Sequence, residues 1–143
     1  MKKLVILGML VVILTFGFVS SGCATTKVDF AENTPTDQQS ILFIEGGVWD
    51  VFEFSGTPVK WFTVSTFGST TVTVPSGQQT VKFNFYWDAN NHVKNKELSA
   101  NFEAGHKYKL QMLSDGRTFY FGIFDETINK FVTPMPSKLT TKQ

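Results

Sequence analysis

The chain has 143 residues, with 13 Lys and Arg set against 12 Asp and Glu, and it is long enough for one domain with a real core. The balanced charge and the absence of any basic run exclude the footprint of a nucleic-acid binder and a polybasic membrane patch. Cys23 is the one cysteine, which excludes internal disulfides and CxxC metal or redox pairs.

Met1-Lys2-Lys3 is a short positive start, Leu4 to Phe18 is almost unbroken apolar sequence, and Val19-Ser20-Ser21-Gly22 brings small residues up to Cys23. This order is that of a secretory signal peptide, predicted over 1–22 as a helix that is then removed. A transmembrane helix needs about 20 apolar residues; this run stops at small polar residues, and no Lys or Arg cluster follows it. The site resembles a bacterial lipobox. Gly22 and Ser21 fit the small positions, whereas Ser20 stands where an aliphatic residue is usual, with Val19 one place early. The resemblance implies cleavage before Cys23, acyl chains of the palmitate type on its sulfur, and a lipoprotein anchored to a membrane of the cell envelope. More than one acyl chain is needed for firm anchoring. Ala24, rather than an acidic residue, follows the cysteine. By the sorting rule of some two-membrane bacteria this favours the outer membrane.

Residues 23–39 are polar around Pro35 and read as the lipidated cysteine and a flexible tether, with Val28 and Phe30 available to dock on the domain. A β domain is predicted over 40–134. Ile41-Leu42-Phe43-Ile44 is a short apolar strand; Val48 to Phe54, Val59 to Val64 and Thr70 to Val74 follow between Gly- and Pro-containing breaks. In Gln79 to Trp87 the residues Val81, Phe83, Phe85 and Trp87 alternate with polar ones, the pattern of a strand with one buried face. Asp88 to Lys96 reads as a polar loop, Leu98 to Glu103 and Lys107 to Met112 as strands, and Asp115-Gly116 as a hairpin turn into Thr118 to Phe124. Asn129 to Thr133 is a candidate edge strand, and 135–143 a frayed tail. Seven or eight short strands at this spacing predict a single antiparallel β-sandwich, with a small closed barrel as the alternative.

Two stretches carry a further resemblance. Val74-Pro75-Ser76-Gly77-Gln78-Gln79-Thr80-Val81 and Phe102-Glu103-Ala104-Gly105-His106-Lys107-Tyr108 resemble turns of PEGA-like or transthyretin-like domains of bacterial envelope proteins. Gln79 stands where the first turn often carries His. The resemblance implies a sandwich fold and, as a rule in such domains, no assigned catalytic residue.

No catalytic, metal or cofactor site is predicted. His92 and His106 read as solvated histidines, and two histidines without a second cysteine leave zinc short of ligands. Asp88-Ala89-Asn90-Asn91-His92 begins like a calcium loop but has Val93 at the position that needs Gly and Ser99 at the one that needs Glu. No GxSxG occurs, and Glu97 and Glu103 lie on a presumed outward face. The unusual feature is the aromatic content, 15% of the chain. Trp49, Trp61, Tyr86 and Tyr120 fall opposite strongly apolar faces, Trp49 opposite Phe52 and Phe54. They are therefore candidate binding residues, unless that second face is itself covered. The expected function is a non-catalytic binding or interaction module on a lipid anchor, meeting an envelope protein or small ligand. A structural or assembly lipoprotein is the alternative, and an envelope hydrolase ranks behind both for want of a catalytic constellation.

Overall fold

The computed structural model describes residues 26–140 apart from 47, 60–67 and 89. The predicted signal helix, Cys23 and Trp61 lie outside the described residues. The chain is all-β, with ten strands among the described residues: β1 (Thr26–Asp29), β2 (Gln39–Ile44), β3 (Trp49–Phe54), β4 (Thr57–Pro58), β5 (Thr70–Pro75), β6 (Gly77–Tyr86), β7 (His92–Phe102), β8 (Lys107–Ser114), β9 (Phe119–Asp125) and β10 (Lys130–Phe131). A helical turn, α1 (Ser137–Thr140), follows.

The strands form a six-stranded sheet in the order β1-β5-β2-β8-β9-β10 and a four-stranded sheet in the order β4-β3-β6-β7. Neither sheet closes on itself among the described residues, so the arrangement is sandwich-like and not a barrel. The expectation of a purely antiparallel sandwich is corrected. β1 runs parallel to β5, and β2 parallel to β8. Parallel neighbours need a long crossover, and β2 and β8 have one because the intervening chain visits the smaller sheet between them.

Strand alternation places the core. Leu42, Ile44, Val72, Val74, Tyr108, Leu110 and Ile123 of the larger sheet meet Trp49, Val51, Phe54, Val81, Phe83, Phe85, Ala100 and Phe102 of the smaller. Ring contacts cross the interface: Phe121 lies 5.4 Å from Phe83 and 5.2 Å from Phe85, and Tyr108 lies 4.4 Å from Phe102. The chain changes sheet at Pro75-Ser76-Gly77, where Gly77 takes φ +102°, open to glycine at little cost. Gln79 holds this corner: its Nε2 donates to the Pro75 carbonyl at 3.1 Å, and its Oε1 accepts from Ser55 Oγ at 2.6 Å.

Both ends of the domain reach further than expected. Within the segment read as a tether, Thr26–Asp29 pairs with β5, Phe30 stacks on Phe54 at 5.0 Å, and Ala31 is buried. At the other end Met135, placed in the expected tail, packs over Gly122. The polar loop predicted from Asp88 is short, because β7 starts at His92. Asp88 Oδ1 accepts the backbone N–H of Asn90 and Asn91 at 2.8 and 2.9 Å and closes the turn.

Candidate functional site

Two β-bulges decide which aromatic rings reach the surface. In β3 the register with β6 shifts between Val51 and Glu53, so Trp49, Val51 and Phe54 pair with Phe85, Phe83 and Val81 and share the inward face. The expectation that Trp49 lies opposite Phe54 is therefore corrected. Phe52 is an extra residue in β3, and strict alternation through it inverts the faces on either side. Trp49 is 4% exposed and meets Phe83, Phe85 and Phe121 edge-on at 4.9 to 5.8 Å. It is a core residue and offers no surface to a partner.

In β7 the register with β6 shifts between Phe83 and Phe85. Asn95 takes φ +54° there, and its N–H donates to Asn84 Oδ1 at 3.0 Å, while Asn84 Nδ2 donates to Asp50 at 2.8 Å. This bulge puts Lys96 opposite Phe83 and Leu98 opposite Val81, so both occupy the inward face of an edge strand. The sequence does not mark Lys96, because its polar neighbours have the composition of a loop.

Beside Lys96 a cleft of about 220 Å³ opens between the two sheets, lined by Phe83, Leu98, Phe119, Phe121, Tyr120 and Met135, with Lys96, Glu97 and Pro134 completing it. Its floor is aromatic because β9 sends Phe119 and Phe121 inward. Its sides are strand edges. β7 ends the smaller sheet, and β10 pairs only with Phe124 and Asp125 of β9, leaving the stretch from Phe119 to Phe121 without a neighbouring strand on that side among the described residues. Tyr120 is half-buried at the cleft and donates to Asp115 Oδ2 at 3.3 Å. Tyr86 lies elsewhere, on the outer face of the smaller sheet, with its ring 5.5 Å from His92. Of the four aromatic candidates the cleft thus holds Tyr120 alone among the described residues. Alternation predicts Trp87 on the buried face with Phe83 and Phe85. The residue is 39% exposed, because it stands just past the end of β6, where its ring meets Phe119 at 4.6 Å.

A polar cluster lies at another corner. His106 is not the solvated residue expected: Nδ1 lies 2.7 Å from Oδ2 of Asp125, a fully buried carboxylate, and Nε2 lies 3.5 Å from Glu103. Asp125 Oδ1 also accepts the N–H of Thr127 and Ile128 at 2.9 and 3.3 Å. The hydrogen bond to Asp125 raises the His106 pKa above its ordinary value. Burial pushes Asp125 upward, but the bonds from His106, Thr127 and Ile128 outweigh it and hold the carboxyl below its usual range. Burial pushes the Tyr108 phenol up to about 12, and its oxygen accepts the Glu103 N–H at 2.7 Å. A hydrolytic dyad of this kind would aim Nε2 at a hydroxyl or thiol nucleophile. Here Nε2 faces a second carboxylate, so the geometry ties the β7–β8 turn to the β9–β10 turn. Glu97 faces outward opposite Lys82, far in register from Glu103.

No protein family model, curated protein or solved structure matches the chain.

Proposed function

We propose that the chain is a lipid-anchored, non-catalytic binding or interaction module of the bacterial cell envelope, held to a membrane through Cys23 and meeting its partner at the cleft between β7 and β9. The observation that carries the contact site is the coincidence of an aromatic floor with two strand edges left open among the described residues. An apolar concavity with a few polar groups at its rim is the usual form of a binding site. The signal-like N-terminus and the order Gly22-Cys23-Ala24 support the anchor and favour the outer membrane, and the PEGA-like turns support an envelope setting.

The reading is tested in cells by placing a photo-crosslinking side chain at Tyr120 or, as a control, at the exposed Thr57 of the far edge. Crosslinked product is expected from Tyr120 and not from Thr57; equal product, or none, removes the cleft from the reading. Fatty-acid labelling tests the anchor separately. Cys23→Ala is expected to abolish incorporation, and label retained by the variant overturns the assignment.

The second reading, a structural or assembly lipoprotein, draws on the length of β7, whose 11 residues form the end of the smaller sheet. Long edges are templates for pairing with another chain. This reading expects a stable complex that co-purifies after mild detergent extraction, where the first expects exchange on dilution.

A further inference from the structure

We infer that the occupant of the cleft is an extended peptide strand laid along the edge of β7, carrying an acidic side chain against Lys96 and an apolar side chain two residues along it. The inference rests on the cleft being the contact site and adds the chemistry of what enters. Lys96 supplies the charge argument. Its register opposite Phe83 puts it on the face that Leu98, Ala100 and Phe102 continue with apolar groups. It is exposed, and among the described residues no carboxylate lies within ion-pair distance of it; Lys82 and Lys109 have theirs, in Glu53 and Glu126. A charge on the inward face of an edge strand also discourages unwanted pairing. Either sign would serve that purpose, whereas a cation on the inward face, with the neighbouring Glu97 in register with Lys82 on the outer face, complements an anion only.

The backbone supplies the second argument. An edge strand presents unpaired N–H and C=O groups, and a ligand that adds to it brings its own in register. The cleft of about 220 Å³ exceeds the 150 Å³ that admits benzene in an engineered apolar cavity, so it takes one ring or branched alkyl group. Side chains on one face of a strand recur every second residue, and directly opposed Cβ atoms lie about 5 Å apart. A group opposite Lys96 and a group opposite Leu98 are therefore two residues apart on the incoming strand, which fixes the recognised pattern as acidic and apolar residues separated by one.

The test uses the full-length protein in detergent micelles and short labelled peptides of alternating Thr and Val. One peptide carries Glu and Phe separated by one residue, and a second has Lys in place of the Glu. The Glu peptide is expected to bind the wild type about tenfold more tightly than the Lys peptide, and Lys96→Glu, at an exposed position, to reverse that preference. An unchanged unfolding midpoint shows that the variant is folded. Equal binding of both peptides to wild type and variant overturns the acidic requirement while leaving the cleft as a contact site. No binding of either peptide overturns the inference, and the crosslink from Tyr120 then decides the site independently.

Discussion

Gly122 is buried where the outer face of β9 receives the returning C-terminal segment. A Cβ there would stand 2.9 Å from Phe131 Cδ1 and from Thr133 Oγ1, and 3.0 Å from Met135 Sδ. Thr133 Oγ1 also accepts the Ile123 N–H at 3.0 Å and has little freedom to retreat. Gly122→Ala is expected to cost about 1–3 kcal/mol by overpacking, read as a fall in the urea midpoint at unchanged slope. Phe83 is fully buried, and Phe83→Ala is expected to cost about 3–5 kcal/mol in the same measurement. Trp49→Ser is expected to fall in the same range, and a loss below about 1 kcal/mol would return Trp49 to the surface. Phe83 was legible from the sequence because its strand alternates without interruption from Val81 to Phe85. Trp49 was not, because a single bulge residue inverts the count and leaves no mark in composition.

At the scale of elements, the pairing of His106 with Asp125 links turns that belong to different strand pairs, and it makes their joint contribution dependent on pH. The His106 pKa is raised in the fold, so its contribution is complete below the ordinary value near 6.5 and is lost as pH rises through the raised value. The Asp125 pKa is lowered, so its contribution is complete above about 3.8 and is lost as pH falls through the lowered value. Both act together between about pH 4 and 6.5. Urea midpoints across pH are expected to show this plateau in the wild type and a flatter alkaline side in His106→Ala; parallel profiles would mean that the pair is not linked to folding. The edge strands were legible as strands wherever alternation or a turn signal marked them. The extension of β7 to His92 was not, because its exposed Asn and Lys residues have the composition of a loop, and pairing with β6 overrides it.

At the scale of the molecule, the all-β class and the principal strands follow from period-two alternation and turn chemistry. Strand order and the parallel pairs do not, because partners such as β2 and β8 are distant in sequence. Nor does the cleft, whose walls come from strands that meet only across the sandwich. β1 shows how tertiary pairing overrides local composition: a polar segment becomes an edge strand because Phe30 has Phe54 to stack on and its N–H has the Thr73 carbonyl at 2.9 Å. Phe30→Ser is expected to release this strand, read as faster tryptic cleavage after Lys27 with the midpoint of the remaining domain less affected. Unchanged cleavage would mean that backbone pairing alone holds β1.

On the proposed anchor, the position of β1 would set the length of a leash. With lipid on Cys23, Ala24 and Thr25 would separate the anchor from Thr26, which is paired in β1. Fully stretched, that span is about 10 Å, comparable with the headgroup layer of one leaflet, about 5–8 Å deep. A domain anchored in this way would be held close to the lipid surface by way of β1. In the larger sheet β9 stands four strand spacings from β1, about 19 Å away. On that anchor the cleft would lie across the larger sheet from the point of attachment, and turning of the domain about the leash would carry it around that point at a short radius.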